Sequence, residues 1–179
     1  MKSHWIAFPA LLLGAVLAHA QSPPSADSLL DQAKTQAAPD HRAIFAIFHA
    51  SWCGWCRKLD SFLESAEIKP VVDKYFVTVH FTVQESADKK ALENPGGDEF
   101  MKAVGGPAGL PFFAFLDSKG ALIVNSLRPG EAGKSPENIG HPDKPEEVDW
   151  FMTMVNKAAP RMTREEAGTL EKYLRNQKK

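Results

Sequence analysis

The sequence predicts an α/β fold: a central mixed β-sheet flanked by helices, with a C-terminal helical extension. Three observations carry this expectation. Ala43-Ile44-Phe45-Ala46-Ile47-Phe48 is continuously apolar, as in a strand buried on both faces. Beyond it, Leu59, Phe62, Leu63 and Ala66 recur on one helix face, and residues 75–83 (YFVTVHFTV) alternate and are rich in β-branched and aromatic residues. Strand, helix, strand in that order makes a parallel pair with a right-handed crossover. Residues 112–116 and 121–125 are two further strand-like runs joined by Asp117-Ser118-Lys119-Gly120, a hairpin signature that adds an antiparallel pair.

The remaining elements follow from local signals in chain order. Lys2, an apolar stretch from Trp5 to Leu17, and Ala18-His19-Ala20 are the charged, apolar and small-residue parts of a secretory leader. Residues 1–20 are read as a signal peptide, and residues 21–179 as a single domain. Its core lies at 43–125, a loop at 128–145 and C-terminal helices at 146–177. The leader contains Pro9 and falls short of the ~20 apolar residues that a membrane span requires. In residues 27–37, Leu29, Leu30 and Ala33 keep helical spacing, and Pro39 ends that helix. Lys69-Pro70 interrupts the helix after the first strand. Residues 84–106 are polar around Pro95-Gly96-Gly97 and hold one or two short helices, while residues 128–145, rich in Gly and Pro, read as a long exposed loop. Val148, Phe151, Met152 and Val155 mark a further helix face. Thr163-Arg164-Glu165-Glu166 is a capping box that opens a last helix through Leu170, Tyr173 and Leu174.

Of 179 residues, 44% are hydrophobic and 24% charged, as in an ordinary globular domain. The 21 Lys and Arg against 22 Asp and Glu leave a net charge of −1, and removal of Lys2 with the leader makes it one unit more negative. No basic cluster is available to neutralise phosphates, which excludes a nucleic-acid or anionic-membrane surface. A chain exported from the cytoplasm meets an oxidising compartment, where a disulfide between two cysteines is stable.

The two cysteines, Cys53 and Cys56, lie in Ala50-Ser51-Trp52-Cys53-Gly54-Trp55-Cys56-Arg57, between the apolar run and a helix. A redox centre, half of a metal site and an inert local staple are the three readings of such a pair. A cysteine at a helix start faces unpaired backbone N–H groups and the positive end of the helix dipole, both of which favour thiolate. Cys53 is therefore the candidate nucleophile, and Cys56, one turn further in and less exposed, the thiol that resolves a mixed disulfide. A zinc site usually needs four ligands, and only His49 and His80 lie near in sequence, so no metal and no cofactor is expected.

Trp52-Cys53-Gly54-Trp55-Cys56-Arg57 resembles the active-site signature of the thioredoxin superfamily, W-C-G-x-C-K/R, and the β-α-β then hairpin order is similar to that fold. Gly109-Leu110-Pro111, just ahead of the strand at 112–116, resembles the family's cis-proline loop. The resemblance covers about residues 43–125, and its nearest subgroup is the secreted or periplasmic thioredoxin-like proteins with a C-G-W-C centre. It implies a thiol–disulfide oxidoreductase in which Pro111 is cis and the backbone of Leu110 pairs with an incoming substrate chain. Trp52, Gly54, Trp55, Leu110 and Pro111 are the substrate-binding residues it implies. Three departures stand out. Ile47 occupies the position, six residues before Cys53, where thioredoxins carry a buried carboxylate that accepts the resolving thiol's proton. Trp55 stands where thioredoxin has proline, and the chain continues past Asn125 with a long loop and two helices.

The expected partners are protein thiols and disulfides. A membrane-borne thiol partner would supply electrons to a reductant, because the compartment lacks an adequate reducing pool. No membrane insertion is expected after leader cleavage, and the expected location is periplasmic or secreted. The alternative is a non-catalytic thioredoxin-fold binding module whose disulfide is structural and whose aromatic face around Trp55 holds a partner. His49, four residues before Cys53, is a candidate modulator of the thiol pKa as an imidazolium, against the plainer role of a histidine satisfied at a strand end. Trp52 and Trp55 suit an apolar collar for substrate; packing is as good a reading as contact for Trp52, and Trp55, between the cysteines, is expected to be exposed. Phe112 and Phe113 read as core, Met152 and Met154 as core filler rather than copper ligands, and His141 as a solvated loop residue.

Overall fold

Strand β1 (Ala43–His49) is the spine of a four-stranded sheet with the order β2-β1-β3-β4. It pairs in parallel with β2 (Phe76–Thr82) and antiparallel with β3 (Phe112–Leu116), which pairs antiparallel with β4 (Leu122–Asn125). This computed structural model describes residues 22–106, 109–130 and 133–177, so the leader read at residues 1–20 lies outside the described residues. Every side chain from Ala43 to Phe48 is buried, because helices cover both faces of the sheet. The period-two alternation of a strand divides them: Phe45 and Ile47 enter one core, Ile44, Ala46 and Phe48 the other.

On the first face, α2 (Gly54–Leu63), α5 (Pro145–Ala158) and α6 (Arg164–Arg175) contribute Leu59, Phe62, Phe151, Val155 and Leu170. Phe45 lies at the centre of this core, stacked on Phe115 at 4.4 Å and edge-on to Phe113 at 5.5 Å, with Phe76 and Phe151 completing the cage. Met152 and Met154 fill gaps in the same core. On the opposite face, α1 (Ala26–Ala37) and α4 (Gly97–Ala103) pack Ala33 and Met101 with Phe48 and Phe81.

Helix α2 stops at Leu63, and α3 (Lys69–Tyr75) starts afresh with Pro70 in its first turn, where the missing N–H leaves no bond unmade. The proline thus opens a helix rather than merely ending one. The β3–β4 turn is held by Asp117, whose Oδ1 accepts from Lys119 N at 2.8 Å and Ala121 N at 2.9 Å, while Gly120 supplies the positive φ of 90°. The capping box at Thr163 is present, and its Glu166 does more. It accepts from Lys74 Nζ at 2.6 Å and Tyr75 Oη at 2.7 Å, tying α6 to α3.

The expectation of an exposed loop at 128–145 is corrected. Leu127–Arg128 (β5) and Glu137–Asn138 (β6) form a two-stranded antiparallel ribbon, after which Ile139 and His141 turn inward and are buried. Strands of two residues are too short to show a period, and these side chains are buried by distant parts of the chain, so composition alone reads as loop.

Phe45→Ala should lower stability by ~3–5 kcal/mol in urea unfolding, the usual cost of emptying a fully buried phenylalanine site. The Lys74 ammonium, with the Tyr75 and Thr163 donors, draws the Glu166 carboxyl from 4.5 down to about 2. Its stabilising contribution is therefore present above pH 4.5 and lost as pH falls toward 2. Glu166→Gln should accordingly show a shallower loss of stability than wild type across that window in acid titrations followed by circular dichroism.

Candidate active site

Strand β1 ends at His49, and Ala50-Ser51-Trp52 carry the chain to the N-terminus of α2. Cys53 is the N-cap of that helix, and its Sγ accepts from the backbone N–H of Cys56 at 3.1 Å, the role a Ser or Asp side chain usually fills. A sulfur at this point lies at the positive end of the helix, where thiolate is favoured. Cys53 and Cys56 are joined in a disulfide, with Cα atoms 5.3 Å apart. The expected difference in exposure is absent, since Cys53 is 3% and Cys56 2% accessible. Capping geometry, rather than accessibility, distinguishes the two thiols.

The Leu110–Pro111 peptide bond is cis, and Leu110 packs against Ala50, Cys53 and Cys56. Trp52 and Trp55 flank the disulfide and are 54% and 47% exposed. Trp52 is nonetheless tethered, its indole Nε1 donating to Gln84 O at 2.8 Å, and Trp55 carries the Lys58 ammonium 4.1 Å from its ring centroid. At Gly54 an added Cβ would meet nothing nearer than Arg57 Nη2 at 3.7 Å, so the surface beside Cys53 is open. The structure thus brings together the cysteines, both tryptophans, Gly54, Leu110 and Pro111.

Of the two readings of His49, the plainer one of an uncharged histidine at a strand end fits its surroundings. Burial lowers its pKa, the neighbouring His80 ring lowers it further, and the opposing pulls of Asp60 and Glu85 are weaker, so the ring is neutral at pH 7. Its Nε2 lies 3.3 Å from Thr82 Oγ1, and its ring centroid is 5.1 Å from that of His80. His80 Nε2 in turn lies 3.0 Å from Asp60 Oδ1 on α2.

Three residues that sequence reasoning did not single out, or placed wrongly, shape the site. Glu85 is buried, and its carboxylate accepts from Ser51 N at 2.6 Å and Ser51 Oγ at 2.8 Å, bracing the turn that leads to Cys53. Asn138 on β6 clamps the cis-proline loop: its Nδ2 donates to Pro111 O at 3.0 Å and Gly109 O at 3.4 Å, while its Oδ1 accepts from Ser126 Oγ at 2.7 Å. His141, expected in solvent, is 3% exposed and stacks on Trp55 with centroids 6.3 Å apart. Gln177 Nε2 donates to Pro142 O and Leu174 O, which turns Gln177 Oε1 toward His141 Nε2 as an acceptor. Burial lowers the His141 pKa most, against the pull of the Gln177 bond, so this ring is also neutral at pH 7. No local pattern marks these residues, because each acts on a segment remote in sequence.

A cavity of about 430 Å³ opens between Trp55, Leu110, Pro111, Asn138 and His141, and a second of about 720 Å³ lies between α2 and α6 beside Gly54 and Lys58. Among the described residues, no group of three or more His, Cys, Asp or Glu is placed to hold a metal ion, and no helix is long and apolar enough to cross a membrane. Asn138→Ala is expected to cost ~1–3 kcal/mol in urea unfolding, since it strands buried partners. It should also speed hydrogen exchange at the Gly140 amide, which bonds Asn138 Oδ1 at 3.3 Å.

A profile of the thioredoxin-like family matches residues 26–118. Among solved structures, the chain is similar to a disulphide isomerase from Xylella fastidiosa Temecula1, with 18% identity over 93% of this chain and 97% of that one and a TM-score of 0.48. It is similar to the C-terminal domain of DsbD from Neisseria meningitidis in the oxidised form, with 18% identity over 74% of this chain and 99% of that one and a TM-score of 0.45. It is also similar to the thioredoxin domain of a thiol-disulfide oxidoreductase from Bacteroides vulgatus, with 18% identity, coverages of 60% and 84%, and a TM-score of 0.39. No curated protein matches the chain.

Proposed function

Because the chain belongs to the thioredoxin-like family, we propose that it is an extracytoplasmic thiol–disulfide oxidoreductase that exchanges disulfides with protein substrates through Cys53 and Cys56. The observation that carries this reading is a disulfide at a helix N-terminus, abutted by Leu110–Pro111 and left open on the Gly54 side. In the reducing direction, the Cys53 thiolate attacks a substrate disulfide and the first substrate thiolate leaves. Cys56 then attacks Cys53 Sγ, the Cys53–Cys56 bond forms, and the second substrate thiolate departs with the electron pair. The oxidising direction is the reverse.

Leu110 is the residue whose main chain pairs with the substrate strand, and Trp52 and Trp55 form the apolar collar beside it. Residues 1–20 serve as the cleaved leader to the periplasm and residues 21–179 form one domain. A reductant in that compartment draws its electrons from a membrane-borne thiol partner. The exposed pair of tryptophans also suits the second reading, a binding module with a structural disulfide.

The reduction potential separates these readings. Equilibration in glutathione buffers, followed by tryptophan fluorescence, is expected to give a value between about −120 and −270 mV, the span of oxidants and reductants built on such pairs. A pair that stays oxidised well below about −300 mV supports the structural disulfide instead. Cys53→Ala should abolish reduction of a protein disulfide, and exchange at the wild-type rate by that variant would overturn the proposal.

A further inference from the structure

We infer that Asp60 is the proton acceptor for the Cys56 thiol and that His80 is the positioning residue that holds it. The inference rests on the exchange reaction proposed above. Cys56 must lose its proton before it can attack Cys53 Sγ, and burial of the residue at 2% exposure disfavours the unassisted thiolate. At position 47 the chain offers only an isoleucine, fully buried among Leu59 and Phe62, so the acceptor must come from elsewhere.

The sheet register points to where. In the parallel β1–β2 ladder Ile47 lies beside His80, and His49 lies beside Thr82, so these four side chains share the face that α2 covers. His80 Nε2 meets Asp60 Oδ1 at 3.0 Å across that face. Asp60 stands four residues after Cys56 on α2, a spacing that makes the two side chains neighbours along one helix surface, with Cβ atoms about 5–6 Å apart. Its second carboxylate oxygen makes no hydrogen bond or ion pair among the described residues. Both partners are about one-third exposed, at 37% for Asp60 and 36% for His80, so a proton taken from the buried thiol reaches solvent through them.

The titratable group facing this pair is His49 on β1, and Glu85 after β2 faces His49 in turn. The nearby cation on α2, Arg57, is engaged with Ser51 O at 3.2 Å. The step balances. The Cys56 S–H proton passes to the Asp60 carboxylate, the Cys56 thiolate bonds Cys53 Sγ, the mixed disulfide breaks, and the departing substrate thiolate carries the electron pair. In the oxidising direction Asp60 returns the proton to Cys56.

The test is a single-turnover reaction of the reduced protein with an aryl disulfide whose released thiolate absorbs visible light. The first equivalent reports attack by Cys53 and the second reports resolution by Cys56. In Asp60→Asn the first phase should keep its rate, while the second slows at least about tenfold at neutral pH and recovers toward wild type as rising pH deprotonates Cys56 directly. His80→Ala should slow the same phase several-fold and displace its pH profile. A second phase in Asp60→Asn that matches wild type at every pH overturns the role of Asp60. A wild-type protein that releases no thiolate at all defeats the exchange reaction itself, and this inference with it.

Discussion

Strand β1 has no face in water, so its backbone N–H and C=O groups must find partners within the sheet on both sides. That requirement makes it a central strand and determines what converges at its end. The parallel partner β2 finishes at the same edge as β1, with His49 beside Thr82, and the antiparallel partner β3 begins there, with Phe48 beside Phe112. The Cys53 turn, the Gln84–Glu85 segment and the Leu110–Pro111 loop are therefore brought to one edge by topology before any of their own contacts form. Each then ties down its neighbour: Glu85 bonds Ser51, Gln84 accepts from Trp52, and Leu110 packs on both cysteines.

The C-terminal extension is part of this arrangement rather than an appendage. Helices α5 and α6 complete the core that holds Phe45 and Phe62, which fixes the tilt of α2 and hence the place of Cys53. The ribbon of β5 and β6 then returns to the site, where Asn138 bonds the carbonyls flanking Pro111 and His141 lies against Trp55. Buried polar groups of this kind hold their geometry because leaving any one unpaired is costly in a low-dielectric interior. The same residues wall one of the two cavities beside the disulfide, so the extension helps to shape what can approach it.

Electrostatics at the site rests on dipoles and hydrogen bonds more than on full charges. Both His49 and His141 are held neutral at pH 7, chiefly by burial, and the Cys53 sulfur is served by the helix terminus it caps. Of the carboxylates nearby, Glu85 is buried where it braces the turn, and Asp60 of α2 meets His80 of β2. This differs from the thioredoxin pattern, in which a carboxylate occupies the place of Ile47. Phe62, Leu59 and Phe113 close around Ile47, and no charge could be accommodated there without a partner.

Much of the frame was legible in residue order. The apolar run at 43–48, the alternation at 75–83 and the Asp-Ser-Lys-Gly turn each encode a strand or hairpin through periods that depend only on neighbours in sequence. The helix start at Cys53 and the capping box at Thr163 are likewise local, because a cap bonds residues three positions away. What lay outside local reach needed the tertiary structure. The inward turn at Ile139 and His141, the Asn138 clamp, the Glu85 brace and the contact of His80 with Asp60 all join segments far apart in the chain. The sequence by itself therefore determined the strand-and-helix order and the reactive pair. Only the packed chain decided which polar groups surround that pair and which histidines stay uncharged, because burial and long-range hydrogen bonds exist only once distant segments meet.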